Sequence, residues 1–299
     1  MTTVDAPTGF KLWLEGARPR TLPAAVVPVL IGAATAAEKG APHWWRLVPA
    51  AIVSLALQVG VNYANDYSDG VKGTDDARVG PLRLVGSGLV KPSVVKRAAF
   101  AAFGVAGVAG GILALQTTLW LVAVGACAIL AAWFYTGGPR PYGYAGLGEV
   151  FVFVFFGLVA TIGTGYVVCG EITPAMIWAG TAAGCWSCAM LVVNNLRDIP
   201  GDTVSGKRTL AVRLGDARTR VFFQLLFVPP VLAIAALSYK GNGPWVLLGL
   251  VGVLAAGKPV SMVRRGAKGR DLIAVLGGVG RAQLVFGVTF AAGLFIAYS

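Results

Sequence analysis

Apolar residues fill this chain in runs of 17 or more, separated by short stretches rich in Gly, Pro and charge. Nine runs stand out, at roughly 21–37, 47–64, 96–115, 118–135, 148–168, 173–193, 221–238, 244–262 and 282–298. Roughly 18 helical residues at about 1.5 Å each cross a hydrocarbon core. The pattern predicts an all-α, polytopic membrane bundle of nine transmembrane helices. Segment 272–280 is apolar but too short to span, and reads as a half-helix or surface helix. Gly107-x-x-x-Gly111 has the spacing of close helix contact. Pro229-Pro230 and Pro259 predict kinks in the seventh and eighth spans.

Composition agrees. The chain has 299 residues, 56% hydrophobic and only 13% charged, where a soluble domain carries about 25% charged residues. The mean hydropathy is +0.72. The first twenty residues lack the apolar core of a cleavable signal. A net charge of +12 would suggest nucleic acid in a soluble protein. Here its placement is topological, and no nucleic-acid partner is expected. Basic residues crowd the amino-terminal segment and the loops after spans 2, 4, 6 and 8, while the alternate loops hold only Lys39, Arg46 and Lys240. The positive-inside rule puts the amino terminus and the crowded loops in the cytoplasm, and an odd number of spans puts the carboxyl terminus outside. A basic face beside anionic lipid or a diphosphate is a second reading of the same charge.

Two acidic clusters close spans 2 and 6. The first is Asn65-Asp66-Tyr67-Ser68-Asp69, and the second runs from Asn194 through Asp198 to Asp202. Carboxylates at a membrane helix end are costly and normally have a task. Asn65 and Asp69 share one helical face, as do Asn194 and Asp198. Pro200 and Gly201 predict that the helix loosens before Asp202, placing it in the loop. The first series has Gly73 at its next position, so Asp75 or Asp76 would have to fold back to complete it. The two series are offset by 129 residues. That weak repeat suggests a single domain of two related halves, roughly 18–144 and 145–270, around a central cavity, plus a ninth helix.

Mg²⁺ takes hard oxygen ligands and keeps phosphate oxygens in its shell. Two facing clusters are therefore read as holding two ions that bridge a diphosphate. The metal-ligand candidates are Asn65, Asp66, Asp69, Asp75, Asn194, Asp198 and Asp202. Lys72, Arg83, Lys207 and Arg208 would neutralise the remaining anionic charge. The segment 66–77 lacks the closing Glu of an EF-hand, and no P-loop is present. Between spans 4 and 5, Tyr135 and Tyr142 offer ring faces to a carbocation, with Arg140 and Glu149 close in sequence. An interfacial aromatic belt would also explain the tyrosines, and Glu149 also suits a helix amino terminus. Arg20 reads as either a topological anchor or a wall of the anion site. Cys185-x-x-Cys188 sits in an apolar run and reads as packing, and His43 alone makes no metal site.

These residues resemble the UbiA-type intramembrane prenyltransferase superfamily, whose pattern is an Asn-Asp-x-x-Asp motif after the second helix and a related Asp motif after the sixth. The run Tyr135 to Tyr144, the run Gly146 to Gly157 and the run Gly206 to Gly215 look like its menaquinone-pathway members, the 1,4-dihydroxy-2-naphthoate polyprenyltransferases. The resemblance covers essentially the whole chain. It implies transfer of a polyprenyl chain from polyprenyl diphosphate to 1,4-dihydroxy-2-naphthoate, releasing diphosphate and CO₂ to give demethylmenaquinone. It also implies the plasma membrane of a bacterium, contact with membrane lipid, and Mg²⁺ as cofactor. Asp66, Asp69, Asp198, Asp202 and Tyr135 would then carry catalysis.

Three alternatives compete. Another acceptor of the same superfamily, hydroxybenzoate or a phosphoribosyl group, fits the tyrosine loop less well. A CDP-alcohol phosphotransferase would carry one contiguous signature and fewer spans. A transporter would place its carboxylates near the midplane rather than at helix ends.

Overall fold

The computed structural model describes residues 8–40, 43–73, 82–239 and 243–298. All regular elements among them are helical: α1 (Gly9–Ala17), α2 (Pro23–Ala36), α3 (Leu47–Val71), α4 (Pro92–Gln116), α5 (Trp120–Phe134) and α6 (Gly148–Val152). A π-helical stretch, Phe153–Val159, joins α6 to α7 (Ala160–Cys169). Then come α8 (Pro174–Val204), α9 (Leu210–Leu225), α10 (Val228–Leu237), α11 (Leu250–Ala255), α12 (Gly257–Arg264) and α13 (Asp271–Tyr298). Seven helical stretches of the described residues are long and apolar enough to cross a membrane, and α1 with α2, bent by 55°, makes an eighth. The apolar helix α5 is shorter, at 15 residues.

Proline sets the breaks. Pro229 and Pro259 lack the N–H that would bond to the carbonyls of Leu225 and Ala255, and α9 and α11 end at those two residues. The breaks thus fall one turn ahead of the prolines, which sit in the first turns of α10 and α12. Pro200 behaves differently. It lies inside α8, which runs on to Val204, so Asp202 is helical and not in a loop. One missing bond is tolerated where the flanking turns are held by packing. Segment 272–280 is likewise no separate half-helix, because α13 is continuous through it. Gly107 and Gly111 do not make the expected close contact: a Cβ at either would meet nothing within 4 Å.

The largest apolar core gathers around α8. In its most apolar stretch 78% of the residues are buried, against 28–50% in the other spans. Trp186 is fully buried, with Phe227 edge-on at 5.0 Å and Phe286 at 5.4 Å. The π-helical stretch lies directly on α8, since a Cβ at Gly157 would clash with Gly184 Cα. That contact places Phe155 and Phe156 against one side of a cavity, and α3 and α8 bring their acidic carboxyl-terminal turns to the same cavity.

Candidate active site

The cavity has a volume of about 1330 Å³. Its polar end is formed by Asn65 and Asp69 from α3 and by Asn194, Asp198 and Asp202 from α8. Four-residue spacing puts Asn65 with Asp69, and Asn194 with Asp198, on shared helical faces, as the sequence predicts, and the continuation of α8 past Pro200 adds Asp202 to the second face. Arg20, Arg83 and Lys207 line the same space. Its apolar wall includes Leu57, Leu121, Phe151, Phe155, Phe156 and Val159.

Asp69 meets at least three partners. Lys207 Nζ donates to its Oδ1 at 3.0 Å, the Tyr144 hydroxyl donates to the same oxygen at 2.5 Å, and Arg83 Nη2 lies 3.7 Å from Oδ2. The Lys207 ammonium also lies 4.7 Å from the Tyr144 ring centroid. Asp69 and Lys207 are buried and Arg83 and Tyr144 half-buried, so the charges act in a poorly screened setting and must be matched. Asn65 accepts from the Thr136 hydroxyl at 2.8 Å, which fixes the start of the tyrosine loop against α3.

On α8, Arg197 grips Asp198 through two hydrogen bonds, 2.7 and 2.8 Å, and donates to Asn194 Oδ1 at 2.8 Å. Sequence reasoning did not single out Arg197. Adjacent residues on a helix normally point apart, and only the long, forked guanidinium folds back far enough to reach its neighbour. Nothing in the sequence pattern sets Tyr144 apart from the other tyrosines of its loop. Its bond to Asp69 depends on how 142–145 turns, which spacing does not reveal.

Several expected residues lie elsewhere. Asp66 is fully buried and outside the cavity lining; its Oδ2 accepts from Leu84 N at 2.8 Å and its Oδ1 from Val85 N at 2.9 Å. It holds the backbone beside Arg83. Lys72 Nζ donates to the carbonyls of Thr136 (2.8 Å) and Gly138 (3.2 Å) and is not in the lining. Burial lowers its ammonium pKa, while Asp69 pulls the other way. Arg140 and Arg208 are exposed and also outside the lining. Glu149 is buried behind the wall, where its Oε1 accepts from Asn195 Nδ2 at 3.0 Å, and its Oε2 has no hydrogen-bond partner among the described residues. Asp75 lies outside the described residues.

Tyr135 and Tyr142 do line the cavity, ring centroids 5.6 Å apart and edge-on. Tyr142 stacks on Phe151 at 3.9 Å and donates its hydroxyl to Ala131 O at 2.8 Å. Burial raises the Tyr142 phenol above the ordinary tyrosine range. Both rings present their faces and edges to the cavity.

No three His, Cys, Asp or Glu side chains among the described residues gather into a metal cage. The donor set fits Mg²⁺ nonetheless. Each cluster offers amide and carboxylate oxygens on one face, and Mg²⁺ is commonly held by one or two carboxylates plus substrate phosphates. Asp69 with Asn65, and Asp198 with Asn194 and Asp202, are the groups that would hold it.

Comparison with known proteins follows the same lines. The sequence profile of the UbiA prenyltransferase family matches residues 25–275. A 1,4-dihydroxy-2-naphthoate octaprenyltransferase of Mycobacterium tuberculosis is 50% identical over 286 residues, covering 95% of this chain and 97% of the relative. Its Escherichia coli namesake is 36% identical, covering 95% of each. Among solved structures, a UbiA homolog from Aeropyrum pernix superposes with a TM-score of 0.67 at 13% identity, covering 91% of this chain and 97% of that one. A UbiA homolog from Archaeoglobus fulgidus, bound to GPP and Mg²⁺, gives 0.64 at 13% identity, covering 93% and 99%.

Proposed function

The chain belongs to the UbiA prenyltransferase family, and from that premise we propose that it joins a polyprenyl chain to 1,4-dihydroxy-2-naphthoate. The 50% identical relative carries that activity in its name. The observation that carries the reading is the meeting of two acidic helix ends, α3 and α8, in one cavity with an apolar wall. An amphiphile with an anionic head and a long hydrocarbon tail suits such a space.

The charged groups of the site have a division of labour. Lys207 and Arg83, now on Asp69, and Arg197, now on Asp198, supply the positive charge that receives the diphosphate head. Asn65, Asp69, Asn194, Asp198 and Asp202 would hold Mg²⁺, two ions in our reading, which would supply further positive charge to the leaving diphosphate. Arg20 borders the same space. The aromatic wall from Tyr135 and Tyr142 to Phe151 and Phe155 holds the allylic end of the tail and excludes water from it.

The bonds balance simply. The allylic C–O bond breaks and its electron pair leaves with the diphosphate. The ring carbon that bears the carboxylate forms the new C–C bond. The carboxylate then leaves as CO₂, returning its bonding pair to the ring. The product is the quinol of demethylmenaquinone, and its oxidation is a separate step. A ring already activated by two hydroxyls needs no strong base.

We read the chain as one domain of two halves, roughly 18–144 and 145–270, with a ninth helix. Counting the bent pair and α5 as spans gives nine. By the positive-inside rule we read the motif side and the amino terminus as cytoplasmic, in the plasma membrane of a bacterium, with the carboxyl terminus outside.

The test is to incubate membranes bearing the protein with dihydroxynaphthoate, Mg²⁺ and a labelled polyprenyl diphosphate, and to identify the lipid by mass. The expected product carries the naphthoate ring without its carboxylate. If membranes given dihydroxynaphthoate form no naphthoate product, while parallel membranes given hydroxybenzoate form a prenylated hydroxybenzoate, the acceptor assignment is refuted.

A further inference from the structure

A second groove lies outside the cavity, on the flank of α13, with a volume of about 630 Å³. Three arginines line it: Arg20, Arg270 and Arg281. Among the described residues no carboxylate does. Three like charges around one concavity repel one another, and no described residue lining the groove carries a charge that offsets them.

Its floor is apolar and small. Ala274, Gly277, Arg281 and Leu284 lie along one stripe of α13, at alternating three- and four-residue steps, and Arg270 stands in the turn just before the helix. Gly277 opens onto free space, since a Cβ there would meet nothing within 4 Å. Gly280 packs against the turn before α2, and a Cβ there would lie 3.0 Å from the Arg20 carbonyl. Arg20 and Arg281 are therefore at the same level of the groove.

That level is informative. Helix α13 has 28 residues, a length of about 42 Å, which exceeds a hydrocarbon core of about 30 Å. With Tyr298 at the far interface, Arg281 falls near the motif-side edge of the core, about 26 Å away. Arg270 then stands in the headgroup layer, and Leu284 dips toward the acyl chains. An arginine at this depth on an exposed face is costly unless it meets an anion.

We propose that this groove binds an anionic glycerophospholipid, its headgroup phosphate between Arg20 and Arg281 and the first part of an acyl chain along Ala274, Gly277 and Leu284. The charge is complementary, the opening faces lipid, and the small residues leave room for a chain. Because Arg20 lines both this groove and the central cavity, the lipid would also steady the turn that closes one side of the cavity.

The test compares melting temperatures of the purified full chain in mixed micelles with phosphatidylglycerol or phosphatidylcholine of the same acyl length. Phosphatidylglycerol should raise the wild-type midpoint by about 3 °C or more, and phosphatidylcholine should not. The double variant R270Q/R281Q should lose most of that shift. Gly277→Leu, which fills the floor but keeps every arginine, should lose it as well, and it carries the test if the double variant does not fold. Equal shifts with both lipids, or full shifts in the variants, overturn the proposal. So does an arginine-dependent shift of the same size from inorganic phosphate alone, which would make this a free-anion site. A larger arginine-dependent shift from a polyprenyl diphosphate also overturns it, because the groove would then be a substrate subsite.

Discussion

Lys207 Nζ donates to Asp69 Oδ1 at 3.0 Å, across 138 residues of sequence. One partner belongs to the first acidic motif and the other to the loop after the second. The bond ties the ends of α3 and α8 over a shared cavity, and both side chains are nearly inaccessible to water. Both motifs line that one cavity, within reach of a common ligand.

Asp69→Asn and Asp198→Asn each remove a negative oxygen while keeping the shape of the side chain. Each is expected to lower kcat/KM by about two to three orders of magnitude. The Asn amide retains an acceptor for Lys207 or Arg197, so the variants should still insert and elute as folded protein. Product formation by mass and size-exclusion profiles check both points. Wild-type turnover in both variants would remove these carboxylates from the site.

Asp66 should behave differently from its neighbour three residues on. Its oxygens accept from Leu84 N and Val85 N, so Asp66→Ala leaves two backbone donors without that partner. Each buried, unsatisfied donor costs about 1–3 kcal/mol. The melting midpoint should fall, and the KM for the prenyl diphosphate should rise as Arg83 loses its support. Asp66→Asn keeps one acceptor oxygen and should be milder on both measures. An Asp66→Ala protein with normal stability but no turnover would point instead to direct metal contact.

Much of this was legible in the sequence because it depends on spacing. Asn65 with Asp69, and Asn194 with Asp198, fall on shared faces by helical periodicity alone, and the apolar runs locate the helices that carry them. What spacing could not show depends on tertiary contact. Asp66 is as acidic as Asp69, but its burial depends on where residues 84–85 return to α3. Arg197 is next to Asp198 in sequence, where helix geometry argues against a contact. Pro200 obeys the local rule by losing a bond to Leu196, yet the packing of α8 carries the helix past it to Asp202. Lys72 looked like an anion ligand by charge, and the turn after α5 captures it through carbonyls.

The buried tyrosines give a pH dependence of known sign. Burial raises the Tyr142 phenol in the folded protein, while in the unfolded chain it titrates near pH 10, at about the ordinary value. A raised folded pKa means stability is complete below that pH and is lost as pH climbs beyond it, because the unfolded state ionises first. The melting midpoint of the wild type should therefore fall above about pH 10. Tyr142→Phe should be somewhat less stable near neutrality, having lost the bond to Ala131 O, but should show a shallower alkaline decline. Parallel curves for the two proteins from pH 7 to 11 would contradict the burial argument.

Chelation should separate activity from folding. The carboxylates Asp69 and Asp198 already have cationic partners within the protein, Lys207 and Arg197 at 3.0 and 2.7 Å. The fold therefore does not depend on a metal to neutralise them, unlike a structural zinc site. EDTA is expected to stop prenyl transfer and to leave the melting midpoint nearly unchanged, and added Mg²⁺ should restore activity. Mg²⁺ together with inorganic diphosphate should stabilise more than either alone, since Lys207, Arg83 and Arg197 then exchange carboxylate partners for phosphate oxygens. At a hundredfold excess over its dissociation constant, such a ligand stabilises the fold by about 2.7 kcal/mol. A large loss of stability on chelation alone would mean that the ion pairs seen here do not hold the site together, and that the carboxylates are organised around the metal instead.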